Sequence, residues 1–259
     1  MSDDLVAIKI LVVSDSASER AALRDAAAAA SIIVDVAEID RIGDASEVCR
    51  ALTDASVDAV FVDSRMAQEA RRSILKAARE AQPQPLVISV GSAGSTSQFA
   101  AEGLAADGLL AKPIDRGQAL ALFDSCLRAR LPVRVLVVDD SATVRSVILK
   151  VLQSCRYRLE VVEAVDGRAA LEAAGRQRFD VVLLDCQMAG LDGFETLAAF
   201  RRNHADAKIV MLTATNDTRN AERARAAGAH EVLYKPFYAK DVDMAMNRLL
   251  GLTGPKGGG

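Results

Sequence analysis

The chain alternates short apolar runs with longer amphipathic stretches, and this alternation predicts its elements. Val133–Val138 reads VRVLVV, a run typical of a strand buried on both faces. Ser141 then opens a helix in which Val144, Val147, Ile148, Val151 and Leu152 share one face at helical period. Leu159–Ala164 reads as a second strand, Arg168–Arg176 as an Ala-rich helix and Val181–Leu184 as a third strand. Gly193–Asn203 reads as a helix and Ile209–Leu212 as the fourth strand. Asp217–Ala227 is a helix closed by Gly228 as its C-terminal cap. Glu231–Tyr234 is the fifth strand and Ala239–Leu250 the last helix. Strands alternating with helices imply an α/β domain, a parallel sheet covered on both faces. The amino-terminal half follows the same order, with strands near Ile8–Val13, Ile33–Glu38, Ala59–Val62, Leu86–Val90 and Leu109–Leu110.

The two halves also match letter by letter. Ile10–Ala17 (ILVVSDSA) answers Val135–Ala142 (VLVVDDSA) at an offset of 125, with Arg20 and Arg145 at corresponding places. Val57–Met66 answers Phe179–Met188 at an offset of 122, and Lys112-Pro113 answers Lys235-Pro236 at 123. Three ordered matches at a nearly constant offset indicate an internal repeat. Two copies of one domain are expected, at residues 1–130 and 131–250. Pro132 stops the helix before the junction. No Gly/Ser-rich spacer separates the copies, so close coupling is expected. Residues 251–259 are Gly-rich and are expected to form a disordered tail.

Composition narrows the class. The 259 residues leave room for two domains. With 51% hydrophobic and 26% charged residues, long disorder is excluded. No apolar run is long enough for a transmembrane helix, and the acidic start, Met1–Asp4, argues against a signal peptide. A net charge of −3 leaves no electrostatic footprint for general nucleic-acid binding. Tryptophan is absent and aromatics make up 4%, which disfavours base-stacking platforms and aromatic cages. Cys49, Cys126, Cys155 and Cys186 show no C-x-x-C spacing and read as reduced thiols without zinc in a cytoplasmic setting. The halves carry −5 and +2, which fits attraction between them as well as ordinary surface variation.

In sheets of this kind chemistry gathers beyond the carboxyl ends of the strands. That rule selects Asp139, Asp140, Asp185, Thr213 and Lys235. Three carboxylates at one spot repel each other and call for a cation, and an oxygen-only set suits Mg²⁺. Lys235 adds a fixed positive charge and Thr213 a hydroxyl donor, together a cradle for a phosphoryl group. Asp185, at the end of the central third strand, is the candidate nucleophile for an aspartyl phosphate.

Asp139-Asp140, Asp185, Thr213 and Lys235-Pro236, with spacings of 45, 28 and 22 from Asp140 onward, resemble the receiver domain of two-component response regulators. The resemblance covers essentially the whole chain, twice. It implies two tandem (βα)₅ doubly wound, flavodoxin-like receiver domains. By this resemblance Asp185 is the phospho-acceptor and Asp140 binds Mg²⁺ directly, while Asp139 acts largely through a water. The backbone carbonyl of Gln187 completes the metal site, with one Mg²⁺ per intact receiver. Thr213 and Lys235 hold phosphoryl oxygens. Ala189 stands where proline is frequent, and Val232 replaces the switch aromatic, which leaves output to another surface.

The first copy departs further. Asp15, Asp63 and Lys112 persist, but Ser14 replaces the first acid and Gly91 stands at the threonine position, with Ser92 beside it. Arg65, two residues after Asp63, either reaches the pocket as a substitute charge or faces solvent. Leu109 replaces the switch aromatic. A weak or silent receiver serving as an interaction or regulatory module is expected.

The whole then reads as a stand-alone tandem response regulator. It takes a phosphoryl group from a phosphohistidine, on a sensor histidine kinase or a histidine phosphotransferase, chiefly on Asp185. No output domain fits in residues 251–259, so phosphorylation is expected to switch protein binding, to pass phosphate along a relay or to serve as a sink. The chain is expected to be a phosphoryl acceptor with self-dephosphorylation, not a dedicated enzyme. A constitutive adaptor of the same fold is the alternative. An aspartyl-nucleophile hydrolase is disfavoured because Gln187 and Arg65 stand where its second acid belongs. A dinucleotide site is disfavoured because acids, not G-x-G-x-x-G, follow the first strand. Self-association is expected through the fourth and fifth helices, the former made basic by Arg219, Arg223 and Arg225, or the two copies pair within one chain. Cys186 reads as a neutral thiol, with redox tuning as its alternative, and His204 and His230 as surface or packing residues.

Overall fold

A computed structural model describes residues 7–39, 45–54, 56–92, 106–215 and 217–253. The chain divides into two units, residues 1–130 together with 250–259, and residues 131–249.

Unit 1 runs β1 (Ala7–Val13), α1 (Ala17–Ala28), β2 (Ile33–Ile39), α2 (Ala45–Asp54), β3 (Ala59–Asp63), α3 (Gln68–Glu80), β4 (Leu86–Gly91), β5 (Gly108–Ala111) and α4 (Arg116–Arg130). The element expected between β4 and β5 falls at residues 93–105, outside the described residues. Unit 2 runs β6 (Val133–Val138), α5 (Ala142–Gln153), β7 (Leu159–Ala164), α6 (Gly167–Arg176), β8 (Val181–Asp185), α7 (Gly193–Asn203), β9 (Lys208–Ala214), α8 (Thr218–Ala226), β10 (Glu231–Lys235) and α9 (Ala239–Leu249).

Each unit holds one five-stranded sheet, ordered β2-β1-β3-β4-β5 and β7-β6-β8-β9-β10. Every pairing between these strands is parallel. These are two tandem flavodoxin-like α/β sheets. The central strands β3 and β8 are buried along their whole length, because helices cover both faces; this is why they read as unbroken apolar runs rather than alternating ones. In unit 2 one side of the sheet packs Leu136, Val182, Leu184, Ile209 and Met211 against Leu197 and Phe200 of α7 and Ala221 and Ala224 of α8. In unit 1, Leu11, Val60, Val62 and Val87 meet Val48 and Leu52 of α2 and Ile74 and Leu75 of α3.

The order places the first strand of each unit between the second and the third. Successive crossovers leave it in opposite directions, so a crevice opens at the carboxyl ends of the first and third strands. The turn leaving the first strand is built alike in both copies. Ser16 and Ser141 cap α1 and α5, their hydroxyls accepting from the amides of Glu19 and Val144. The guanidinium of Arg20 donates to the Ser14 carbonyl at 2.5 Å, and that of Arg145 to the Asp139 carbonyl at 2.8 Å. Both arginines also pair with a glutamate on the neighbouring strand, Glu38 or Glu163. The matched Arg20 and Arg145 of the repeat are therefore braces behind the site residues.

Two glycines are set by close approach. A Cβ on Gly193 would lie 2.0 Å from the Asp185 carbonyl oxygen, so α7 starts directly against the end of β8. Asp192 caps that helix in a reciprocal box with Glu195. Gly228 follows α8 at φ +91°, the left-handed conformation expected of its cap position.

The structure departs from the expected carboxy-terminal boundary. Leu252, read from sequence as part of a disordered tail, is fully buried. Its carbonyl accepts from the amide of Leu109 on β5 at 3.1 Å. A Cβ on Gly108 would lie 2.5 Å from that same carbonyl oxygen. An open strand edge offers unpaired amides, and here residues beyond the last helix take one of them. Residues 254–259 lie outside the described residues.

Candidate functional site

In unit 2 the strand ends bring the sequence-selected residues together. Asp139 and Asp140 follow β6, Asp185 ends β8, Thr213 lies near the end of β9 and Lys235 ends β10. Asp139 is 1% exposed and Thr213 is also buried, whereas Asp140 faces solvent. The Lys235 ammonium donates to Asp139 Oδ2 at 2.7 Å and to Asp185 Oδ1 at 3.0 Å. Asp139 Oδ1 accepts from the Ser141 amide at 2.9 Å, and Asp140 Oδ2 from the Ala189 amide at 2.9 Å. Burial pushes the Asp185 carboxyl above its ordinary value, with the Asp139 charge adding to the rise, against Lys235 and the Gln187 amide, which favour the anion. Burial also works to discharge Lys235, but Asp139 and Asp185 outweigh it and hold the ammonium charged.

Magnesium fits this donor set. Carboxylate oxygens of Asp139, Asp140 and Asp185 lie within 4.8 Å of one another, and no other trio of this kind occurs among the described residues. Three carboxylates against one ammonium leave an excess of two negative charges at a largely buried spot. All three donors are hard oxygens, the chemistry Mg²⁺ prefers.

A cleft of about 500 Å³ opens beside the site, lined by Asp140, Cys186, Gln187, Met188, Ala189, Asp192, Phe194, Asn220 and Arg223. Arg223 stacks over the Phe194 ring at 3.7 Å from its centroid. That contact was not legible in the sequence, where Arg223 was one of three basic residues on a helix. Burial, with the Asp185 charge beside it, pushes the Cys186 thiol up to about 11. His230 accepts from the Ile209 amide at 3.1 Å, and the His204 ring lies against Phe200 at 5.5 Å.

Unit 1 assembles a different set at the same place. Asp63 pairs with Val90 on β4 as Asp185 pairs with Leu212 on β9, which puts Gly91 opposite the position of Thr213. Ser92 follows, exposed. The Ser16 amide donates to Ser14 Oγ at 3.2 Å, the role that Asp139 Oδ1 serves in unit 2. Lys112 donates to Asp63 Oδ1 at 2.8 Å. Arg65, read from sequence as either a pocket charge or a solvent-facing residue, is both: its guanidinium reaches Asp63 while most of the side chain stays exposed. Its Nη2 lies 2.8 Å from Asp63 Oδ2 and its Nε 3.2 Å from the same oxygen. Burial alone would push the Asp63 carboxyl up, but Arg65 and Lys112 outweigh it and hold it at about 2.

The sequence reading missed Glu19. From the first turn of α1 its carboxylate takes Lys112 at 2.8 Å and Arg65 at 3.0 Å, and accepts from Ser14 Oγ at 2.8 Å. The available signal was its place four residues after Asp15, one helical turn on, at the point where the second copy has Val144.

Residues 135–247 match the family described as response regulator receiver domain. Among curated proteins, Response regulator MprA of Mycolicibacterium vanbaalenii is 37% identical over 128 residues, 49% of this chain and 54% of that protein. Transcriptional regulatory protein PdtaR of Mycobacterium tuberculosis is 35% identical over 133 residues, 50% of this chain and 64% of that protein. The chain thus spans from about half to less than two thirds of the length of these relatives. A solved structure described as a probable two-component system response regulator/GGDEF domain protein is 23% identical, with a TM-score of 0.52. It covers 94% of this chain and 98% of its own, a likeness of fold across both units. No helix among the described residues is long and apolar enough to cross a membrane. The match to residues 135–247 and the paired sheets lead to one conclusion: residues 135–247 form a response regulator receiver domain, and unit 1 repeats its flavodoxin-like fold in tandem.

Proposed function

We propose that this chain is a tandem response regulator in which Asp185 accepts a phosphoryl group from a phosphohistidine, on a sensor histidine kinase or a histidine phosphotransferase. The observation that carries the reading is the Lys235 ammonium bridging Asp139 and Asp185 at 2.7 and 3.0 Å within a cluster of three carboxylates. A carboxylate oxygen of Asp185 attacks phosphorus and the phosphorus–nitrogen bond to the donor histidine breaks, returning the imidazole. Lys235 and the Thr213 hydroxyl meet the phosphoryl oxygens as charge moves onto them. Asp139, Asp140 and Asp185, with the Gln187 backbone carbonyl, would hold the magnesium ion, which neutralises the remaining negative charge.

Unit 1 is read as a weak or silent receiver. Ser14 removes a charge where unit 2 has Asp139, and Gly91 removes the hydroxyl. The loss of one charged hydrogen bond at such a site costs roughly 1.5–3 kcal/mol. Output is read as a change in protein binding, or as onward transfer of the phosphoryl group, in a soluble setting.

The test is acetyl phosphate treatment with Mg²⁺, followed by phosphopeptide mapping of wild type, Asp185→Asn and Asp63→Asn. Label is expected on the peptide carrying Asp185 and lost only in Asp185→Asn. Loss in Asp63→Asn with retention in Asp185→Asn would reverse the assignment. Transfer to a histidine phosphotransferase separates relay from binding switch. Partner binding unchanged by beryllium fluoride would favour a constitutive adaptor.

A further inference from the structure

The two sites invite a count of charge. Unit 2 sets Asp139, Asp140 and Asp185 against Lys235, the one cation ion-paired with them among the described residues. In unit 1 the first acid is lost to Ser14, but Glu19 enters from α1, so Asp15, Glu19 and Asp63 again make three. They face two cations, Lys112 and Arg65. A cleft of about 440 Å³ at these strand ends is lined by Asp15, Asp63 and Arg65 among others.

Arg65 is bound as a ligand would be. Its Nη2 bridges Asp63 Oδ2 at 2.8 Å and Glu19 Oε1 at 3.0 Å, and its Nε meets both Asp63 oxygens at 3.2–3.3 Å. A planar guanidinium engages one carboxylate with a fixed fork of donors while reaching a second, a geometry that the point charge of an ammonium lacks. Lys112 closes the ring on the other side, touching the same two acids at 2.8 Å each. Glu19 is in turn oriented by the Ser14 hydroxyl. Both changes that mark this copy, serine for the first acid and arginine after Asp63, therefore belong to one arrangement.

We propose that the strand-end site of unit 1 is a cation site filled by the chain's own guanidinium: Arg65, clasped by Asp63 and Glu19, stands where unit 2 takes a divalent ion. Unit 1 then binds no Mg²⁺ and presents one state whatever the metal or phosphate supply. Removing Arg65 leaves Lys112 as the cation that Asp63 and Glu19 share, and frees those two carboxylates to take a divalent ion in the guanidinium's place. The inference rests on reading the Asp139–Asp140–Asp185 cluster as a magnesium site, and the experiment separates the two.

Manganese binding to the full chain, followed by the electron paramagnetic resonance signal of free Mn²⁺, counts the sites. Wild type is expected to bind one ion and Asp140→Asn none. Arg65→Gln in the Asp140→Asn background is expected to regain one, and adding Glu19→Val is expected to lose it again. Arg65→Lys, which keeps the charge, is expected to gain nothing. The Arg65 side chain is 64% exposed, so its replacement leaves the core intact, and circular dichroism of each variant verifies the fold. An ion retained in unit 1 with Arg65 in place, or no gain in folded Arg65→Gln/Asp140→Asn, would overturn the proposal. A wild type that binds no ion counts against the magnesium reading of unit 2, while the Arg65→Gln arm still decides unit 1.

Discussion

Asp63 is 1% exposed, yet its carboxyl sits at about 2 instead of 3.8 because Arg65 and Lys112 outweigh the cost of burial. One pKa unit corresponds to about 1.4 kcal/mol. The depression therefore contributes about 2 kcal/mol to the stability of unit 1 at neutral pH. The sign follows from which state takes up the proton first. The folded value lies below the unfolded one, so the unfolded chain protonates first on acidification. The contribution is complete above the unfolded value of 3.8 and is lost as pH falls through the folded value of about 2. Urea unfolding of the full chain, followed by circular dichroism at a series of pH values, measures this when wild type is set against Asp63→Asn. Carrying Glu19→Gln in both proteins removes the acid that shares Arg65 and Lys112 with Asp63, so the remaining difference reports on Asp63. The stability difference between the two proteins is expected to shrink by about 2 kcal/mol between about pH 5 and pH 2. A difference that stays constant over that range would refute the argument, because Asp63 would then owe nothing to its two cations.

Gly193→Ala places a Cβ 2.0 Å from the Asp185 carbonyl oxygen. The start of α7 must shift, and a loss of roughly 1–3 kcal/mol is expected in thermal unfolding, together with slower labelling of Asp185 by acetyl phosphate. The Cys186 thiol, held up to about 11 by burial, is expected to resist alkylation near neutral pH and to react only on alkalinisation or unfolding, read by mass spectrometry. Prompt labelling at neutral pH would contradict its placement. Gly108→Ala sets a Cβ 2.5 Å from the Leu252 carbonyl oxygen and is expected to free the Leu109 amide, seen as faster hydrogen exchange there. Unchanged exchange would show that Leu252 does not hold that edge.

Much of the fold was legible because its signals are local. An apolar run such as Val181–Leu184 has few alternatives to a buried strand, and serine or aspartate before an amphipathic stretch marks a helix start. Differences at strand ends are of one or two residues: β8 runs on to Asp185 because its ladder with β9 extends to Leu212. Leu252 shows where this reasoning stops. A leucine among glycines carries no periodicity, and only the open edge of β5, more than a hundred residues earlier, gives it a place to be buried.

The site divides the same way. The repeat and the rule that chemistry lies beyond strand ends were enough to select Asp139, Asp140, Asp185, Thr213 and Lys235, since residue type, spacing and strand position are one-dimensional. Sequence could also name the substitutions in the first copy, Ser14, Gly91 and Arg65. Whether Arg65 faced water or the pocket depended on a rotamer, and the rotamer depends on which acid stands across from it. That acid is Glu19, some 46 residues away in the chain and without a counterpart in the second copy. Covalent order and hydrophobic pattern thus dictated two sheets and the polar residues at their strand ends. Charge balance at each end was settled by side chains meeting through space, because Coulomb attraction acts on distance in three dimensions and not on separation along the chain.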